Sequence, residues 1–280
     1  MAIKNPIIAE IAWRTWCIDE YGMDAQFLLE GEEKALLIDS GTGACDLPSI
    51  VRELTDKPVM VALTHGHVDH AGGINLFPEV YLHPDDFSLA KSVDVKARKE
   101  YVATMMEMSH GVYALTPDNV ISSSKTAKLL PLTEGTVIHL GWRDIDVIET
   151  PGHTPGGLSF LDKKERILFN GDACNMNTLL AVNGEGVKKT NISDLLYTAE
   201  KLKSFSPFYD RIYNGHIGYA DMVNIMPMPE GLIQDCIDLC HDLLSGNQKG
   251  TPDSHNAFMG PCLVARNRTM QILYREDQLK

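Results

Sequence analysis

Thr64-His65-Gly66-His67-Val68-Asp69-His70-Ala71-Gly72-Gly73 (THGHVDHAGG) follows directly on the apolar run at 58–63 (PVMVAL). The run reads as a buried strand. Polar residues and glycines then crowd the following positions too closely for a second strand or a helix core. The stretch is read as a loop at a strand's carboxyl end, where glycine gives the backbone room to aim side chains and where chemistry commonly sits. Three imidazoles and one carboxylate fall within its six residues from His65 to His70. A lone histidine is usually a satisfied core or surface group, but four potential ligands in one tight loop point to a metal.

One tetrahedral zinc takes no more than four ligands, and a catalytic one keeps a position open, so this loop alone nearly supplies one site. Yet three further groups stand just after predicted strands and beside glycines: His153 in Thr150-Pro151-Gly152-His153-Thr154-Pro155-Gly156, Asp172 in Asn170-Gly171-Asp172, and His216 in Asn214-Gly215-His216. Singly, each reads as a turn. Together they match a shared site.

The surrounding chain is consistent with a layered α/β fold. Runs at 7–13, 25–30 and 35–38 read as antiparallel strands with a hairpin at Gly31, followed by a helix at 47–54 and the buried strand. A strand at 80–82 precedes a long helix-like region from 84 to about 110, closed by Gly111. A second series of strands follows at 128–130, 137–140, 145–149, 158–161 and 167–169, then a helix at 192–205 with Asn191 near its N-cap, a strand at 211–213, a helix at 232–244 and a closing hairpin over 258–266 and 269–274. Each half places strands before helices, so the expected architecture is two sheets packed face to face with helices outside, a four-layer αββα sandwich. The whole chain, 1–280, is expected to form one domain, with a helical insertion at about 84–124 and a variable part from about 217.

These residues resemble the metallo-β-lactamase superfamily. Its H-x-H-x-D-H motif is matched by His65 to His70, and its later His, Asp and His by His153, Asp172 and His216. The resemblance runs from about residue 7 to His216. It implies that His65, His67 and His153 hold a first metal, that Asp69, His70 and His216 hold a second, and that Asp172 bridges them. The implied cofactor is two Zn2+, with iron or manganese as alternatives, and the implied nucleophile is a bridging water ionised near neutral pH. Asp69 would also orient that water or pass on its proton. Asp39, after the strand at 35–38, stands where many relatives carry an aspartate bonded to a ligand histidine, the alternative being a loop cap; Thr64 and Thr154 are expected to support ligands in the same way.

An aspartate at 172 favours the glyoxalase II-like and lactonase-like branches over the true β-lactamases. The lactonases of acyl-homoserine lactones carry a tyrosine three positions after the bridging aspartate, where this chain has Asn175, itself a candidate donor to a substrate carbonyl. No basic pattern after His216 matches the glutathione grip of glyoxalase II. The expected substrate is a small carbonyl ester, lactone or thioester. The alternatives are a phosphodiesterase, a sulfur dioxygenase with a single iron, and a metal-binding module without catalysis. Other candidate substrate contacts are Lys188, which alternatively flanks a helix start, Tyr219, and His255, which alternatively is an exposed loop histidine. Tyr101, Met105, Met106, Met108 and Tyr113 form either a lid over the metals or ordinary packing, and Met222, Met226 and Met228 are placed near the same mouth.

A formal net charge of −13 disfavours nucleic acid and anionic lipid as partners. The basic cluster Lys163-Lys164-Glu165-Arg166 lies between apolar runs and reads as a hairpin turn. No window approaches a membrane span and residues 1–8 hold no signal-peptide core, so a cytoplasmic protein is expected. The six cysteines are expected to be free thiols, Cys236 and Cys240 as buried helix residues. The expected partner is a small molecule, with a homodimer allowed.

Overall fold

The computed structural model describes residues 2–180, 187–216 and 225–280. The first half contains β1 (Ile7–Ala12), β2 (Thr15–Asp19), β3 (Ala25–Glu30), β4 (Ala35–Ile38), α1 (Leu47–Leu54), β5 (Val59–Ala62), α2 (Val68–Ala71), β6 (Glu79–Leu82), α3 (Phe87–Ser92), α4 (Val95–Met108) and β7 (Lys128–Pro131). Its seven strands form one sheet in sequential order, antiparallel from β1 to β4 and parallel from β4 to β7. In the second half come β8 (Val137–His139), β9 (Asp144–Glu149), β10 (Leu158–Asp162), β11 (Ile167–Phe169), β12 (Asn177–Leu179), α5 (Ile192–Ser204), β13 (Arg211–Tyr213), α6 (Leu232–Ser245), β14 (Thr251–Asn256), β15 (Gly260–Arg266) and β16 (Gln271–Tyr274). Here the sheet order is β13-β11-β10-β9-β8, antiparallel except for the parallel pair β11 and β13.

Alternation along the strands sorts their side chains into the layers. Phe27 and Leu29 of β3 meet Val147, Phe160 and Phe169 of the opposite sheet in the central core. Leu28 and Leu37 point the other way, against Leu47 and Val51 of α1 and Val102 and Met105 of α4. On the outer face of the second sheet, Ile148, Leu161 and Leu168 pack against Leu195 and Ala199 of α5 and Cys236 and Cys240 of α6. Helix, sheet, sheet, helix is the expected αββα sandwich. The Lys163–Arg166 cluster forms the turn between β10 and β11, and all six cysteines are buried free thiols.

Four details depart from the sequence reading. β2 is a full strand that the run at 7–13 did not extend to. Residues 84–110 are not one helix: the chain leaves α3 at Val93, and Asp94 starts α4 anew by accepting a hydrogen bond from Ala97 N at 2.8 Å. Within the supposed loop at 64–73, Val68–Ala71 makes one helical turn, since these four residues include no glycine and His67 O accepts the amides of both His70 and Ala71. The closing hairpin belongs to a third sheet, β12-β16-β15-β14. Its outer strand β14 (TPDSHN) is polar and contains Pro252, a composition tolerated at an edge but without the alternation that signals a strand.

Among the described residues no helix is long and apolar enough to cross a membrane. Asp39, Thr64, His153, Asp172 and His216 all follow the carboxyl ends of strands, β4, β5, β9, β11 and β13 respectively. The register of the two sheets sets these ends together: Leu158 N donates to Thr64 O at 2.7 Å and Ala25 N to Gly215 O at 2.8 Å.

Candidate metal centre

At this end of the sandwich the seven side chains singled out in the sequence converge. His65, His67 and His153 form one group of potential ligands, and Asp69, His70 and His216 another; within each, the potential ligand atoms lie within 4.8 Å of one another. Asp172 stands between them, its Oδ2 3.6 Å from His153 Nε2 and 3.0 Å from His216 Nε2, its Oδ1 3.8 Å from His70 Nε2. Two donors on one tetrahedral zinc at about 2.1 Å lie about 3.4 Å apart, so these separations suit shared cations.

The imidazoles are aimed by what holds their far nitrogens. His153 Nδ1 donates to Leu179 O at 2.6 Å and His216 Nδ1 to Met23 O at 2.8 Å. A carbonyl only accepts, so Nδ1 carries a proton in both rings and Nε2 is the nitrogen turned inward. His70 Nδ1 donates to Asp39 Oδ2 at 2.8 Å. The Thr64 hydroxyl donates to the same carboxylate at 2.8 Å, which leaves its oxygen to accept from His65 Nδ1 at 3.1 Å. Asp39 thus contacts a histidine of the cluster, as expected, and Thr64 links it to a second. Thr154 does not act this way: its buried hydroxyl has no hydrogen-bond partner among the described residues.

The same is true of three atoms that the histidines and Asp172 turn inward. His65 Nε2, His70 Nε2 and Asp172 Oδ1 are buried without a hydrogen bond among the described residues. A buried polar atom left unmatched costs about 1–3 kcal/mol, and three in one cluster of potential metal ligands fit positions that a bound cation would satisfy. The backbone allows the close approach. A Cβ at Gly215 would stand 2.3 Å from His70 Cε1 and 3.1 Å from Asp172 Oδ1, so only glycine fits beside the histidine.

The two groups differ in charge. Burial, then the neighbouring His70 and His153, hold His65 well below the usual imidazole range, and burial with His67 pushes His153 down to about 4. For His70 burial acts downward, yet the carboxylates of Asp39 and Asp69 raise it to about 10. His216 is raised to about 9 against the same burial by Asp172. In return, His216 and His70 hold Asp172 well below its ordinary value although burial alone would raise it.

Several supporting residues carried no sequence signal. Asp86, fully buried, accepts from Gly66 N at 2.9 Å and Gly156 N at 2.8 Å, tying the loop after β5 to the loop after β9. Glu20 accepts from the amides of Thr42, Ala44 and Cys45 at 2.6, 2.7 and 2.9 Å, fixing the glycine-rich loop after β4. Both are ordinary acids in turn-like stretches, and only the fold shows what they reach.

The remaining candidates lie elsewhere or have other partners. Asn175 is buried and its Oδ1 accepts from Asn177 N at 2.7 Å, closing the turn before β12. Lys188 is exposed shortly before α5, and His255 is exposed on β14 rather than in a loop, with Ser254 Oγ at 2.8 Å from its Nδ1. Met105 packs in the core and Met228 against the α5 and α6 layer. Tyr219 and Met222 fall outside the described residues.

Residues 23–189 match the family model described as the Metallo-beta-lactamase superfamily. The chain is 28% identical over 193 residues to the acyl-coenzyme A thioesterase MBLAC2 of Homo sapiens, a match that covers 63% of this chain and 66% of that protein, a little under two thirds of its length. It is 23% identical over 161 residues to the hydroxyacylglutathione hydrolase GloC of Haemophilus influenzae, covering 55% of this chain and 68% of the relative. Among solved structures, a metallo-beta-lactamase family protein from Thermus thermophilus superposes with a TM-score of 0.59 at 20% identity, over 85% of this chain and 82% of that one.

Proposed function

Because the chain belongs to the metallo-beta-lactamase superfamily, we propose that it is a metal-dependent hydrolase of acyl thioesters and related carbonyl esters, with one zinc ion held by His65, His67 and His153, a second by Asp69, His70 and His216, and Asp172 shared between them. The observation that carries this reading is the position of Asp172, whose Oδ2 lies within 3.6 Å of a histidine of either group. When bound, the metal pair supplies Lewis acidity and lowers the pKa of a coordinated water from about 15.7 to about 7, which provides a nucleophile at neutral pH.

The chain's own side chains do the rest. Asp39 and Thr64 keep His70 and His65 in the tautomer that offers Nε2 to the pocket. Asp69 Oδ2, 3.5 Å from His216 Nε2, presents a carboxylate that orients the attacking water and accepts its proton. Neither a serine nor a cysteine nucleophile is required, in keeping with the burial of every cysteine. The thioester is favoured because the human and Haemophilus influenzae relatives both bear names of enzymes that free an acyl group from a thiol, and the net charge of −13 disfavours polyanionic phosphodiesters.

The test is turnover by the full chain loaded with zinc, on acyl-coenzyme A and acylglutathione thioesters beside p-nitrophenyl esters, lactones, phosphodiesters and β-lactams, with and without chelator, together with metal analysis. The expected result is chelator-sensitive release of free thiol at the highest kcat/KM of the set and two zinc ions per chain. Absence of chelator-sensitive thiol release overturns the substrate class, and one iron per chain with oxygen uptake overturns the zinc pair.

A further inference from the structure

Most of the segment between β6 and β7 is accounted for by packing: Val102, Met105, Tyr113, Leu115 and Val120 all join the core on the outer face of the first sheet. Tyr101 of α4 does something else. Its hydroxyl donates to Asp69 Oδ2 at 2.9 Å. The same hydroxyl lies 3.5 Å from Met23 O, the carbonyl that orients His216. Its ring faces Phe258, in the turn between β14 and β15, with centroids 6.2 Å apart. One side chain therefore touches a residue of the second ligand group, the backbone that aims another, and the hairpin of the third sheet.

We propose that Tyr101 is a positioning residue for the Asp69–His70–His216 group: its phenol holds the plane of the Asp69 carboxylate and thereby sets how tightly that group takes its ion. The assignment rests on the two-cation reading above. The chemistry is that of a single neutral donor on a carboxylate oxygen, which keeps a further lone pair for a cation. Without the donor, the carboxylate is free to rotate about its terminal torsion, which is broad and only two-fold, and ordering it opposes ion binding. Outer partners of this kind typically carry about 10–100-fold in metal affinity. The His65–His67–His153 group has no contact with this phenol among the hydrogen bonds of the described residues, so the effect is confined to one of the two ions.

Tyr101→Phe removes the hydroxyl and keeps the ring against Phe258. Metal-free wild type and variant are titrated with zinc against a chromophoric chelator, and their thermal unfolding is compared. The expected result is an unchanged first equivalent, a second equivalent weakened about 10–100-fold, an unchanged unfolding midpoint of the metal-free protein, and a kcat that falls at limiting zinc and recovers in excess. A variant that binds both equivalents as tightly as wild type overturns the role of Tyr101 alone. One that weakens both equivalents and unfolds earlier has a structural role instead, which also overturns it. Wild type that takes up a single equivalent overturns the two-cation reading and this assignment with it.

Discussion

The two halves of the proposed centre stand side by side and are built from opposite electrostatics. Around His65 and His153 burial and the other imidazoles outweigh the carboxylate of Asp172, and both are driven toward the neutral form. Around His70 and His216 three carboxylates, Asp39, Asp69 and Asp172, outweigh the same burial and favour the protonated form. Identical residue types thus arrive at a cation in different states, one half with lone pairs already bare and the other with protons to lose. Asp172 stands between the two halves, its Oδ2 within 3.6 Å of a histidine of each.

The sharpest way to break this picture is to remove the shared group. Asp172→Asn is expected to lower kcat/KM by about 10³-fold, the scale of several kcal/mol of charge stabilisation, and to reduce bound zinc from two equivalents toward one; full activity and full metal content would refute the shared position. The next effect is on pH. In the metal-free protein His70 and His216, held at about 10 and 9, carry protons at pH 7. Ligation must displace both, so affinity for the second equivalent rises with pH by up to about 100-fold per unit below pH 9, as linkage of two protons requires. His153, held at about 4, is already neutral between pH 6 and 8, and His65 is pushed the same way by burial and its imidazole neighbours, so neither adds such a dependence to the first equivalent. Zinc calorimetry in two buffers of different ionisation enthalpy measures the protons released by each step, and equal release from both would erase the distinction. A smaller, one-sided effect is expected from Asp39→Asn, which weakens the bond to His70 Nδ1 and with it the second equivalent by about 10–100-fold; equilibrium dialysis of the variant against graded zinc shows whether the first equivalent is spared.

How much of this was readable beforehand follows from the range over which each interaction acts. The clustered side chains were legible because metal chemistry needs particular residue types and because they either share the glycine-containing loop after β5 or stand beside a glycine after a later strand, a local pattern. β3 and β4 were legible because they are buried on both faces, and β5 because it is buried at its carboxyl end, so that all three read as apolar runs. β12 and β14 were not, since short polar strands at or near a sheet edge show no alternation. Asp86, Glu20 and the bond from Tyr101 to Asp69 were out of reach for another reason: their partners lie 20 to 70, 22 to 25 and 32 residues away, and nothing in an isolated acid or phenol announces a distant contact.

Asp86 joins a loop of the first sheet to a loop of the second through two backbone amides, and neither bond involves a cation. The spacing of the histidine-bearing loops is therefore inherited from the polypeptide. On the two-zinc reading proposed above, stripping the metal is expected to leave these loops in place, so that the emptied pocket refills without the chain having to refold.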